Sequence, residues 1–87
     1  MNAQLEQAYR SDLEIATTIG FFETRVGLLR EIGAELPNNI DYLRQQTVQR
    51  NIQKIEADIG SASQPEYKAM RQKELDGIKR EYAYLLR

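Results

Sequence analysis

Residues 15–29 read IATTIGFFETRVGLL, and this stretch decides the predicted fold. Its large apolar side chains follow alternating steps of four and three residues: Ile15, Ile19, Phe22, Val26 and Leu29. That spacing places them on one face of an α-helix, as at the contact between coiled-coil helices. The same register extends back through Asp12, Ala8 and Leu5. We therefore predict one long N-terminal helix over about residues 2–36.

Two prolines with polar neighbours divide the chain into three helical segments. Pro37 ends the first helix, because the residue before a proline avoids helical backbone angles. An asparagine after it can cap the next helix. Pro65 opens another helix, since proline is favoured in the first turn. We predict a second helix over about residues 39–60 and a third over about residues 64–87.

We expect an all-α fold that forms a single domain over residues 1–87. The short connections make consecutive helices antiparallel neighbours, so the long first helix packs on a helical hairpin. The result is a three-helix bundle with coiled-coil-like contacts. Residues 11–14 have the form of a capping box, so a break of the first helix near Ser11 is the alternative. We favour a continuous helix because the apolar spacing runs through this point.

The composition removes several kinds of chemistry. The 87 residues include no cysteine and no histidine, so the sequence lacks thiol nucleophiles, imidazole bases and the usual ligands of zinc. Its five glycines are dispersed and form no phosphate-binding loop. We therefore expect a protein that is not an enzyme and that has no catalytic residues, cofactor or metal site.

The charges are nearly balanced, with 12 basic and 13 acidic residues. The third predicted helix is the most basic element, but acidic residues alternate with its basic ones, so we do not expect nucleic acid as the partner. The sequence shows no signal peptide and no apolar run long enough to span a membrane. We expect no membrane partner and a cytoplasmic location, by default for a bacterial or phage protein.

Three features indicate surfaces for contact with a second copy or a protein partner. If all three helices have the same rise per residue, the residues before about Asp12 extend beyond the end of the hairpin. The alternative is that this end of the first helix is frayed. Glycines seven residues apart on the first helix let a second backbone approach closely, unless they serve ordinary packing within the bundle. Two apolar residues of the second helix lie off its main apolar line. The candidate interface residues are Leu5, Ala8, Tyr9, Gly20, Gly27, Ile40 and Leu43.

Arg71 lies in the middle of the apolar face of the third predicted helix. A charge on such a face is costly unless it is paired, and Glu74 or Glu23 can pair with it. The alternative is that Arg71, together with Lys68, binds an anionic ligand or a partner's carboxylate.

These features favour a non-enzymatic interaction protein. Such a protein would act as a small adaptor, chaperone, regulator or inhibitor that binds a partner protein through helix faces and self-associates as a homo-oligomer. The alternative is an oligomer that binds a small anionic molecule or a nucleotide in a pocket between subunits. Nucleic-acid binding through the third helix is a weaker third hypothesis.

One short motif resembles a known family. The run Glu74-Leu75-Asp76, followed by Glu81-Tyr82, is similar to the second helix of the small aspartyl-phosphate phosphatases of the sporulation phosphorelay. That family forms a helical hairpin with a Ser-Gln-Glu-Leu-Asp signature, and Gln72-Lys73 replace the leading Ser-Gln here. The resemblance is confined to the third predicted helix, and Asp76 is the one position to which it could assign a role.

Overall fold

The computed structural model describes residues 3–87, which form four α-helices and one short 3₁₀ helix. The α-helices are α1 (Ala3–Ile15), α2 (Ile19–Glu31), α3 (Ile40–Ser61) and α4 (Pro65–Glu81), and the 3₁₀ helix is Ala83–Leu85. The described range contains no strand, which confirms the all-α prediction. The helix α3 matches the predicted second helix, while α4 and the 3₁₀ helix together cover most of the predicted third.

The prediction of one long N-terminal helix is wrong. The chain leaves the helical conformation at residues 16–18, here called the α1–α2 joint, and α1 folds back along α2. An ion pair between the two helices, from Arg25 Nε to Asp12 Oδ2 at 3.1 Å, supports this antiparallel arrangement. The alternative break near Ser11 is absent too, since α1 continues through that residue.

Side chains of α3 complete the hydrogen bonds of the joint. Arg50 donates from one guanidinium nitrogen to the carbonyl oxygens of Glu14 and Ala16, at 3.0 and 3.1 Å. Asn51 Oδ1 accepts from the backbone N–H of Ile19 at 2.8 Å. These are carbonyl and N–H groups that helix ends leave unpaired. The apolar spacing could not reveal the partners, because they lie at least 32 residues further along the chain.

Local residues determine both ends of α2. Thr18 has an extended backbone, with φ −129° and ψ 146°, and its Oγ1 accepts from the N–H of Phe21 at 3.3 Å, as an N-cap residue does. After the last turn, Gly33 adopts a φ of +73°, which glycine tolerates without steric cost. The helix therefore ends before Pro37 is reached.

The main core lies where α1, α2 and the start of α3 meet. Phe22, Val26 and Leu29 are buried, in agreement with their spacing. Ile15 is not: 69% of its surface is exposed, and Leu13 is buried instead, because α1 folds back and presents a different face. The buried cluster consists of Leu13, Ala16, Phe22, Val26, Leu29 and Leu43.

The helix α3, about 33 Å long, contacts α1, α2 and α4. Near its start, Arg44 Nε binds Glu23 Oε2 of α2 at 2.6 Å. Near its end, Asp58 Oδ2 binds Arg71 Nε of α4 at 2.9 Å. The described chain measures 49 × 25 × 17 Å along its principal axes. Leu75 is the single buried side chain of α4, so this helix is held by far less apolar contact than α2.

Candidate functional site: a groove between α3 and the C-terminal segment

An open groove of about 730 Å³ lies between α3 and the segment that runs from α4 to the last residues. One wall is a stripe of α3 at positions i, i+3, i+4 and i+7, which is a single helix face. This stripe consists of Gln49, Ile52, Gln53 and Glu56. The opposite wall consists of Lys79, Ala83, Leu86 and Arg87. More of the exposed groove surface is apolar than polar.

The C-terminal wall is held in place by hydrogen bonds. Gln45 of α3 donates from Nε2 to the carbonyl oxygen of Leu85 at 2.8 Å. The 3₁₀ turn adds backbone bonds from Leu85 N to Tyr82 O at 2.9 Å and from Leu86 N to Ala83 O at 3.1 Å. The side chain of Leu86, which is half-buried, is therefore fixed opposite Ile52 rather than left on a loose end.

Charged and polar side chains line the groove together with its apolar ones. Lys79 Nζ and Glu56 Oε2 form an ion pair at 3.7 Å, with about half of each side chain exposed. Such exposed pairs contribute little to stability, at most about 1 kcal/mol. Arg87 is an exposed cation in the same groove. A mixture of apolar and polar side chains is usual in a protein interface.

Arg44 lies near Tyr84 of the C-terminal segment and connects α3 to α2. It donates to both carboxylate oxygens of Glu23, at 2.6 and 3.2 Å, and to Asp41 Oδ1 at 3.3 Å. The hydrogen bond to Glu23 is the main reason that the pKa of Arg44 is raised above its usual value. The rings of Tyr82 and Tyr84 lie nearby, 6.3 Å apart and tilted by 31°. Arg44 is therefore a structural cation whose hydrogen bonds are made within the chain.

The predicted interface residues of α1 do not extend beyond the bundle. Tyr9 is half-buried and packs against the main core, and Leu5 is also half-buried. Ala8 is exposed. The argument for an overhang was wrong because it depended on a continuous helix, and α1 instead lies alongside α2.

The other predicted interface residues are scattered as well. A side-chain carbon added at Gly20 or Gly27 would meet no atom within 4 Å, so no backbone of residues 3–87 approaches these two glycines closely from outside their own helix. Ile40 packs against the core. Leu43 was placed on the surface wrongly: it is 8% exposed and belongs to the buried cluster, because α2 and α3 cross at this level.

Arg71 is paired, as the first interpretation of the sequence proposed. It donates to Asp58 Oδ2 at 2.9 Å and to Glu74 Oε1 at 2.7 Å. The hydroxyl of Tyr67 also donates to Asp58, and this hydrogen bond is the main reason that the pKa of Asp58 lies below its usual value. Lys68 is exposed. These two bonds use two of the five guanidinium N–H donors of Arg71, so binding of an anionic ligand by Arg71 and Lys68 stays a prediction.

The sequence did not indicate the groove. In the sequence, Ile52 follows the four- and three-residue spacing of Val48, Ile55 and Ile59, which predicts burial, and Leu86 lies beside the apolar face of the third predicted helix. A weak signal existed in the α3 stripe, where one isoleucine is surrounded by two glutamines and a glutamate. The 3₁₀ turn that brings Leu86 to face it left no recognisable pattern.

Within the described range, no helix combines the length and the apolar character needed to cross a membrane. Asp76, the position suggested by the phosphatase resemblance, is exposed and accepts a hydrogen bond from Gln72 Nε2 at 3.0 Å. Comparison with known proteins finds no matching family model, no similar curated protein and no similar solved structure.

Proposed function

We propose that this protein is a non-enzymatic interaction protein that binds an amphipathic helix of a partner protein in the groove between α3 and the C-terminal segment. In that role it would act as an adaptor, chaperone or regulator, and would also self-associate. The observation that carries the proposal is the groove itself, which is lined by Ile52, Ala83 and Leu86 together with polar side chains.

The dimensions of the groove support a helical occupant. The α3 stripe spans eight residues, which is about 10 Å or two turns of helix. A partner helix of that length presents apolar side chains at i, i+3, i+4 and i+7, the pattern of helix-in-groove recognition. A third helix placed there would complete a bundle around α3 and α4.

The charges of the groove favour an acidic partner. The lining contains two cations, Lys79 and Arg87, and one carboxylate, Glu56. Lys79 already pairs with Glu56, whereas Arg87 forms no ion pair within residues 3–87 and can meet a carboxylate on the partner. We therefore expect an apolar helical segment with a glutamate or aspartate near one end. Such rim charges act mainly on specificity and association rate.

Paired variants test this proposal. Ile52→Asp places a charge in the groove, while Met70→Asp places one on an exposed apolar residue of α4 that does not line it. Partners would be captured from cell extract with the unmodified chain, and the bound segment would be identified by cross-linking. The affinity of the isolated segment would then be measured for each variant.

We expect Ile52→Asp to weaken binding by at least about tenfold, because a charge in an apolar contact costs more than about 1.4 kcal/mol. Met70→Asp should bind as the unmodified chain does. Gln53→Arg changes an exposed residue that lines the groove, so its affinity for the segment gives a second test with little risk to folding. Circular dichroism would check the helix content of all three variants. Equal binding by the Ile52 and Met70 variants would refute the groove as the binding site.

A further inference from the structure

The α1–α2 joint interrupts an apolar line that the sequence continues. Ile15 and Ile19 stand on either side of the joint with the four-residue step of a continuous helix. In the hairpin they are separated: Ile15 is 69% exposed, whereas Ile19 is half-buried. A continuous helix would place Ile15 in line with Ile19, Phe22 and Val26. The hairpin therefore leaves the side chain of Ile15 exposed, whereas a continuous helix would place it on the apolar face of that helix.

The joint is short, and each of its described hydrogen bonds has a helical substitute. The carbonyl groups of Glu14 and Ala16 are bound by Arg50, and the N–H of Ile19 is bound by Asn51. In a continuous helix, these groups would bond to the backbone four residues away. Opening the joint therefore exchanges side-chain partners for backbone partners and need not leave these groups unsatisfied.

The contacts of α1 with the rest of the fold can be made equally well between two chains. Leu13 is fully buried in the main core, and Asp12 pairs with Arg25 of α2. Arg10 donates to the backbone carbonyl of Glu35, beyond the end of α2. When two identical chains exchange an element, each such contact is re-formed with the other copy, and only the connecting segment changes conformation.

We infer that the joint opens into a continuous helix over residues 3–31, and that two copies of the chain then exchange α1. The open helix would be about 43 Å long, and each α1 would pack on α2 and α3 of the other copy. The occupant is a second copy because the surface already fits α1 residue by residue. The exchange does not depend on the groove between α3 and the C-terminal segment, so either proposal can fail alone.

The joint offers a matched pair of variants at Thr17. This residue is exposed, and its side chain makes no hydrogen bond within residues 3–87. Alanine favours a continuous helix and glycine opposes it. At one position, the exchange of glycine for alanine raises the equilibrium constant for forming the helix by about fivefold. A dimer with two open joints should therefore bind about thirtyfold more tightly in Thr17→Ala than in Thr17→Gly. Each variant would be unfolded, refolded at high concentration, and measured by light scattering across a dilution series.

A cross-linking experiment separates exchange from ordinary dimerisation. The chain contains no cysteine, so Asp12→Cys with Arg25→Cys, placed in the Thr17→Ala chain, provides one defined pair across α1 and α2. A short bis-maleimide then joins the two positions. Exchanged dimers become covalent dimers on a denaturing gel, while a folded-back α1 is cross-linked within its own chain.

Covalent dimers from the dimer fraction, together with tighter association of Thr17→Ala, are the expected result. A dimer whose chains run as cross-linked monomers would overturn the inference. So would equal dissociation constants for the alanine and glycine variants, or a Thr17→Ala chain that stays monomeric after refolding at the highest concentration.

Discussion

The attachment of α4 gives the sharpest prediction from the structure. Leu75 is 3% exposed and is the single buried side chain of this helix, so Leu75→Ala should remove most of its apolar anchorage. Truncation of a buried leucine to alanine costs about 2–5 kcal/mol. A protein of this length has a total stability of about 4–13 kcal/mol. We expect the melting temperature to fall by about 10–25 °C.

The loss of stability in Leu75→Ala should affect α4 before it affects the other helices. The main cluster contains residues of α1, α2 and the start of α3 but none of α4, so amides of α4 should exchange with deuterium much faster in the variant than those of α2. Met70→Ala is the matched control, because Met70 lies on the same helix and is 57% exposed, and it should change stability by less than about 0.5 kcal/mol. Hydrogen exchange read by mass spectrometry provides the measurement. If Leu75→Ala accelerated exchange equally in all helices, the structure would be a single cooperative unit and the reasoning would be wrong.

Two further predictions concern individual hydrogen bonds. Asn51→Leu leaves the N–H of Ile19 without its acceptor and should lower the free energy of unfolding by about 1–3 kcal/mol in urea titrations, whereas Gln53→Leu, exposed on the same helix, should leave it nearly unchanged. An equal effect of both would show that the hydrogen bond accepted by Asn51 contributes little to stability. Asp58 has a lowered pKa in the folded state, so its bonds stabilise the fold above about pH 4 and cease to do so as the pH falls through the folded pKa. The difference in stability between the unmodified chain and Asp58→Asn should therefore shrink between pH 6 and pH 3, and a difference that stayed constant would contradict this assignment.

The sequence predicted the helices well wherever local signals decide them. Pro65 lies in the first turn of α4, as expected, and α3 begins and ends close to its predicted bounds. Phe22, Val26 and Leu29 are buried and lie on one face of α2. The spacing of residues within α2 is enough to predict that face. These features depend on residues within a few turns of one another.

The sequence failed where distant side chains decide the conformation. The joint depends on Arg50 and Asn51, and a helical periodicity calculated from residues 15–29 cannot include them. Leu43 is buried because α2 packs against α3 at this level. The incorrect prediction of one long first helix placed that contact elsewhere. The groove depends on the 3₁₀ turn that brings Leu86 opposite Ile52. In each case the local pattern was compatible with two arrangements, and long-range contacts selected one.

The hydrogen bonds of the joint also constrain the order of folding. The backbone groups of Glu14, Ala16 and Ile19 find their partners on α3, 32 to 36 residues later in the chain. Closing a loop of that length has an entropic cost that must be met before the bonds form. We therefore expect the turn between α1 and α2 to form late, when α3 docks, even though it joins two consecutive helices near the start of the chain. Substitutions at Arg50 or Asn51 would act mainly on the rate of unfolding, because contacts formed after the folding barrier change that rate most.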